Sequence, residues 1–195
     1  MKPAWLLLLL TGCVQTTGGE VVAFSAKAGG DPGIVTGAPL TFTTPAGFDV
    51  TLAVRGEDED HLWAALRRVI PEDEPCLLVL PDTTWTCRER LPAGADLAFG
   101  VFDTDEPHRF SLVHDGRILT KPRDVVGVWQ AWGCVYWTPA VARFWREREA
   151  RQGAYPEYDR AFEDAMREFG WATFRIEDYN DLGTWNAYAS FVRAA

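Results

Sequence analysis

Leu77–Trp85 reads LLVLPDTTW. Four apolar residues run directly into a proline and an acid. A short apolar run without polar alternation, closed by a turn signal, is the pattern of a strand enclosed in a parallel sheet. In open α/β sheets, ligands gather at the carboxyl ends of such strands. Asp82 stands at that end, and its surroundings decide how the rest of the chain reads.

Downstream, helical and extended patterns alternate. HLWAALRRVI, from His61, places Leu62, Leu66, Val69 and Ile70 at helical spacing, and Pro71 stops it. Asp96–Phe102 (DLAFGVF) reads as a strand, and RFSLVHDGRILTKP as a hairpin turning at Asp115-Gly116. Val125–Trp137 reads as one strand or two. Pro139 opens a helix through Arg151, and Tyr158–Phe169 makes another that ends at Gly170. WATFRIED is a last strand and TWNAYASFV a closing helix. This order predicts an α/β fold with a mainly parallel sheet.

Upstream the texture differs. Leu40–Val54 alternates Thr, Phe and Val around Pro45-Ala46-Gly47, as two short strands and a turn do. The acidic run Gly56–Asp60 breaks the composition. The expected organisation is a signal over 1–13, a Gly/Thr-rich tether with a short β segment over 14–56, and an α/β domain over 57–195.

The 195 residues are 47% hydrophobic and 24% charged, a globular composition. The formal net charge of −9 argues against nucleic acid or anionic lipid headgroups as partners, since both call for a basic face. The opening MKPAWLLLLLTGC holds a lysine, an apolar run too short to span a bilayer, and Leu10-Thr11-Gly12-Cys13. Its ending resembles a bacterial lipobox, which implies lipidation at Cys13 and an anchor in the cell envelope without a spanning helix. If the signal is false, the chain is cytoplasmic. Cys76, Cys87 and Cys134 have no zinc-type spacing and read as buried free thiols. His61, His108 and His114 read as surface or loop residues. Trp129/Trp132 and Trp137/Trp145 lie in apolar runs, so core packing is the expectation over a sugar platform.

A second acid, Asp181 in YNDLGT, follows the last strand. Two carboxylates at strand ends suit magnesium, which takes one or two carboxylates plus phosphate oxygens. Gly183 permits close backbone approach to a ligand. Lys121, after the hairpin, suits a phosphate as a point charge. Each has a structural alternative: Asp82 as a turn cap, Asp181-x-Gly-Thr as a turn with a Thr cap, Lys121 as a solvated loop residue.

In order, these stretches resemble the sugar-1-phosphate nucleotidyltransferases over about residues 58–193. LLVLPDTTW is similar to that family's strand with an acid at its end. LTKP is similar to its glutamate-lysine-proline motif, with Thr120 replacing the glutamate and Lys121 and Pro122 matching. WGCVYWTP matches a further stretch through Gly133, Thr138 and Pro139. YNDLGTW resembles its closing aspartate-x-glycine-threonine-proline motif, with Trp185 in place of the proline. The resemblance implies a partial Rossmann-like nucleotidyltransferase fold, with Mg2+ held by Asp82 and Asp181 as the catalytic pair. It also implies a sugar phosphate or nucleotide sugar contacted by Lys121, and a close approach of the sugar at Gly133. The implied reaction, attack of a sugar phosphate on the α-phosphorus of a nucleoside triphosphate, relies on positioning and charge neutralisation.

The family's glycine-rich, arginine-bearing opening loop has no counterpart. Gly29-Gly30 and Gly33 stand with only Lys27 and Arg55 as basic residues between the signal and the boundary. A loop so poor in cations neutralises a triphosphate badly. The expectation is a nucleotidyltransferase-like domain with little or no turnover, or else a membrane-anchored envelope lipoprotein with a non-catalytic binding or structural role.

Overall fold

The apolar run before Asp82 forms a strand, Cys76–Val79, near the middle of a nine-stranded sheet. A computed structural model describes residues 5–10, 12–17, 20–26, 40–43, 49–54, 62–80, 83–87 and 89–182. In chain order the strands are β1 (Trp5–Leu10), β2 (Gly12–Thr17), β3 (Glu20–Ala26), β4 (Leu40–Thr43), β5 (Asp49–Val54), β6 (Cys76–Val79), β7 (Thr83–Thr86), β8 (Leu97–Thr104), β9 (Ser111–His114), β10 (Arg117–Thr120), β11 (Trp129–Trp137), β12 (Ala172–Arg175) and β13 (Glu177–Asp181). The helices are α1 (Leu62–Leu66), α2 (Pro139–Gln152) and α3 (Tyr158–Phe169), and Pro107–Arg109 makes a 3-10 turn.

The large sheet runs β10-β9-β11-β6-β1-β5-β4, and β8 joins β11 to β12. β1 is parallel to β5 and β6, and β12 is parallel to β8; the remaining pairings are antiparallel. The α/β class therefore holds, but the sheet is mixed rather than mainly parallel. The reason is β11, which runs against β8 over most of its length and against β6 over Cys134–Trp137. The run read as an export signal forms β1, between β5 and β6. The boundary expected near Gly56 falls between β5 and α1, and the sheet continues across it. Cys13 lies in β2, paired with β3. No helix among the described residues is long and apolar enough to cross a membrane.

The hairpin turn forms as the sequence predicts. Asp115 and Gly116 both take positive φ, 47° and 72°, as a two-residue turn matched to strand twist requires. α2 starts where Pro139 supplies a fixed φ and no N–H to satisfy. Thr138, just before it, donates its hydroxyl to Asp96 Oδ1 at 2.6 Å and its N–H to Asp96 O at 2.9 Å, which ties the helix to the start of β8. α3 has the predicted bounds and stops at Gly170, φ 72°. The last strand differs from expectation: WATFRIED divides at Ile176 into β12, which stays in the large sheet, and β13, which leaves it to pair with β7. The closing helix expected at TWNAYASFV lies outside the described residues.

Helices cover one face of the sheet. Trp63 of α1 meets Trp145, Tyr155 and Phe162 edge to face, with centroids 5.2, 5.4 and 6.5 Å apart, and Trp137 meets Trp145 at 5.4 Å. Such pairs contribute about 0.5–1.5 kcal/mol each beyond area burial. The indole of Trp63 donates to Glu149 Oε1 at 2.7 Å, and the same oxygen accepts the Tyr155 N–H at 3.1 Å, fastening α1 to the end of α2. Trp132, Trp137 and Trp145 are core residues, as expected. The edge strand β10 is closed by α3: buried Glu163 accepts the Ile118 N–H at 3.1 Å and a bond from Arg160 at 3.2 Å. A sheet edge so covered cannot recruit another strand.

β11 carries one irregularity that decides which way its side chains point. Trp132 is in register with Val101 and Cys134 with Gly100, so Gly133 is an extra residue. Simple alternation would put Trp132 and Cys134 on the same face. The bulge reverses that: Trp132 joins Val135 and Trp137 under the helices, while Cys134 and Ala131 face the other layer. On that second face the small β7–β13 sheet packs through Trp85 and Tyr179. A Cβ at Gly133 would lie 2.7 Å from both Ile176 Cδ1 and Tyr179 Cε2. The room at Gly133, which the resemblance gives to a sugar, is filled by the chain's own side chains.

Two predictions follow from this packing. Gly133→Ala forces Ile176 and Tyr179 outward, and overpacking of this kind costs about 1–3 kcal/mol; urea unfolding should show the loss, and an unchanged midpoint would refute the close packing. The thiols should separate by burial. Cys76 and Cys134 are buried while Cys87 is exposed, which corrects the expectation of three buried thiols. Burial pushes the Cys134 thiol up to about 12 and raises Cys76 as well. Of these three, only Cys87 should react with a thiol reagent in native protein at pH 8. Because Cys76 and Cys134 ionise at about 8.5 when unfolded and only at higher pH when folded, stability should fall as pH rises above that value.

Candidate functional site

The site is assembled where β7 and β13 pair. Asp181 is in register with Thr83, Asn180 with Thr84 and Glu177 with Thr86. Asp82 and Gly183 lie outside the described residues. Thr83, the residue after Asp82, is nevertheless the direct partner of Asp181, so β13 returns the second acid to the exit of the strand that leads to the first.

The ribbon is irregular between Glu177 and Asn180, and Asp178 takes a left-handed φ of 53°. Thr86 donates its hydroxyl to Asp178 Oδ2 at 2.9 Å, and the Asn180 amide donates to Asp178 O at 2.7 Å. These short polar side chains compensate a backbone region that ordinary residues avoid. Tyr179 is aimed into the sheet as a result. Its ring stacks on Phe102, centroids 3.8 Å apart and planes 11° apart, and Phe110 meets both rings edge-on.

Arg109 closes the arrangement. One guanidinium nitrogen donates to Glu106 Oε2 at 2.7 Å and the other to Asp181 Oδ2 at 3.3 Å. The turn that presents it is pinned: the Glu106 N–H donates to Thr104 Oγ1 at 3.1 Å, and the Arg109 N–H donates to Glu106 O at 3.0 Å. Glu106 above all, opposed by a burial cost and helped by Asp181, pushes the Arg109 pKa above its ordinary value. No sequence motif marks Arg109 or Glu106. The usable signal was local: Arg109 is the first Lys or Arg after Arg90 and sits beside an aromatic residue.

Lys121 enters through the backbone. It follows β10, donates its N–H to Phe110 O at 3.1 Å and takes a φ of 44°. A positive φ on a lysine that precedes proline is a strained geometry, of the kind that accumulates at binding sites. Asp181 and Lys121 are thus linked through Arg109 and Phe110. Asp103 and Arg175, paired at 2.8 Å, extend the line of charges along the ends of β8 and β12.

Among the described residues no three His, Cys, Asp or Glu side chains are grouped to hold a metal. A full protein cage is therefore absent from them. Magnesium needs less, since it retains water and takes phosphate oxygens. The Asp181 carboxylate is the right kind of hard oxygen donor, and a cation, the Arg109 guanidinium, already lies against it. Of the two acids that the resemblance pairs, only Asp181 lies among the described residues, and its carboxylate is already ion-paired with Arg109.

No protein-family profile matches the chain, and no curated protein does. Among solved structures it is similar to a candidate glucose-1-phosphate thymidylyltransferase from Bacillus anthracis, determined in complex with a sucrose. Identity is 15%, the TM-score is 0.57, and the match covers 77% of this chain and 66% of that one. The chain thus spans slightly less than two thirds of that protein's length. At this identity the likeness concerns the fold: residues of this chain adopt a nucleotidyltransferase-like α/β fold.

Proposed function

We propose that the chain is a nucleotidyltransferase-like domain that binds a sugar phosphate or nucleotide sugar together with Mg2+, with little or no turnover. The observation that carries this reading is the pairing of Asp181 with Thr83, which sets β13 against the segment leaving β6. Asp181 and Asp82 are the proposed ligands of the ion, and the ion's part would be to offset phosphate charge. Lys121 is the proposed phosphate contact. It presents a point charge from a strained loop end, at a backbone position that depends on Phe110. Gly183, two residues after Asp181 in YNDLGT, is proposed to let the backbone approach the ligand.

Weak turnover is inferred from composition. Between the first apolar run and Gly56 only Lys27 and Arg55 are basic, too few to hold a triphosphate. The likeness in fold to a thymidylyltransferase that binds a sugar supports the ligand class and leaves the chemistry to experiment.

A second reading rests on Leu10-Thr11-Gly12-Cys13: an envelope lipoprotein, anchored through Cys13, with a non-catalytic role. The two readings treat Trp5–Leu10 differently. As a strand it belongs to the sheet; as a signal core it is removed. Intact mass measured separately on membrane and soluble fractions of the native host decides between them. A lipidated species beginning at Cys13 would support the anchor.

For the first reading, calorimetry with dTDP-glucose should give heat that depends on Mg2+. Asp181→Asn should weaken the Mg2+-dependent part about tenfold or more, the scale of a lost charge-assisted contact. Equal heats with and without Mg2+, for wild type and variant alike, would remove it.

A further inference from the structure

The two buried thiols lie on opposite faces of the sheet. Cys76 belongs to the cluster under the helices, and Cys134 to the cluster under the β7–β13 ribbon, together with Phe102 and Ile176. The two covers are unlike. On the side of Cys76, rings of Trp63, Trp137, Trp145 and Tyr155 cross edge to face, and Glu149 ties α1 to the end of α2. On the side of Cys134 stands a ribbon of two strands, which packs through Trp85 and Tyr179. Two strands are marginal without such packing. The register of this pair is broken between Glu177 and Asn180, and Asp178 holds a left-handed φ of 53°, which is costly for a residue with a side chain. Two of the bonds that brace the ribbon, Thr86 to Asp178 and Arg109 to Asp181, are exposed and therefore weak.

At its foot the ribbon is fixed to the large sheet. The Ile176 N–H donates to Val101 O at 2.9 Å, and just before it the Arg175 N–H donates to Glu89 Oε2 at 2.5 Å. Three residues beyond Ile176, Tyr179 enters the sheet, its ring laid on Phe102 and against the bare backbone of Gly133. We propose that the β7–β13 ribbon is a strap that opens about Ile176 while the rest of the fold stays intact, and that Tyr179, seated on Phe102 at Gly133, is the latch that keeps it shut. Segments with few buried contacts open at a fraction of the free energy of global unfolding. The ring lattice under the helices opens only with the whole molecule. Opening of the strap uncovers Phe102, the Gly133 backbone and Cys134 together, an apolar slot that Tyr179 fills in the closed form. The strap thus controls access to one face of the sheet, with or without a ligand at Asp181.

Cys76 and Cys134 report on the two faces separately. Alkylation with iodoacetamide at pH 8, followed by peptide mass spectrometry, resolves each thiol in the unaltered chain. Over times far longer than exposed Cys87 needs, Cys134 should label about tenfold faster than Cys76, or more, at urea concentrations well below the unfolding midpoint. The Cys134 rate there should change little with urea, because a local opening exposes little surface, while the Cys76 rate climbs with global unfolding. Equal rates for the two thiols at every urea concentration would overturn the strap. Tyr179→Ala should raise the ratio of the Cys134 rate to the Cys76 rate about tenfold further, since the ring that holds the strap down is gone. A loss of global stability speeds both thiols alike and leaves that ratio unchanged, so an unchanged ratio would overturn the latch. Should Tyr179→Ala fail to fold, Tyr179→Leu, which removes the stacking and retains an apolar filler, reads the same ratio with a rise of about two- to tenfold.

Discussion

The contact on which the rest of the second layer depends is the close packing of Ile176 and Tyr179 against the backbone of Gly133. A side chain there would meet both at 2.7 Å, so only a residue without a Cβ allows β13 to descend onto the sheet at this point. The inserted residue does two things at once. It sends Trp132 under the helices and clears a seat on the opposite face. Tyr179 takes that seat, stacked on Phe102 and flanked by Phe110. Asp181 is two residues further on, where β13 meets Thr83.

The two faces of the sheet are stabilised by different means. Under the helices the interior is a lattice of indole and phenyl rings crossing edge to face, fixed at its margin by one carboxylate, Glu149, that serves an indole and a backbone donor. On the other face a single stacked pair of rings is surrounded by exposed ionic contacts: Arg109 with Glu106 and Asp181, and Arg175 with Asp103. The first arrangement is dense and apolar, so its geometry is hard to disturb. The second has its own buried apolar cluster, including Phe102, Phe174 and Ile176, and its ionic contacts are exposed and exchange at little cost.

Local patterns were legible where one interaction range was enough. Asp115-Gly116 marks its turn because the required φ values leave few residue choices, and Tyr158–Phe169 shows its helix through buried Ala161, Phe162, Ala165 and Met166 at helical spacing. The mixed direction of the sheet was not legible. Val125–Trp137 is recognisable as extended, but the orientation of β11 follows from pairing with β6 and β8, far away in the chain. The division of WATFRIED at Ile176 was hidden for the same reason: nothing in those eight residues says that the second half will leave one sheet for another. Asp181 and Lys121 could be picked out through a resemblance in order and spacing. Arg109 could not, because its importance comes from what it touches rather than from a motif.

The placing of β1 has a consequence for how the chain comes to be folded. Leu6 pairs with Val50 on one side and with Leu77 on the other. β1 is therefore made before both of its neighbours, and the second of them arrives only after the acidic run and α1 have been made. Long-range pairing of this kind is slow, since loop closure precedes any reward. Until Asp49–Val54 has been made, the six consecutive apolar residues of β1 have neither strand partner. Any factor that gathers apolar segments competes for them during synthesis, and the outcome is set by timing as much as by final stability.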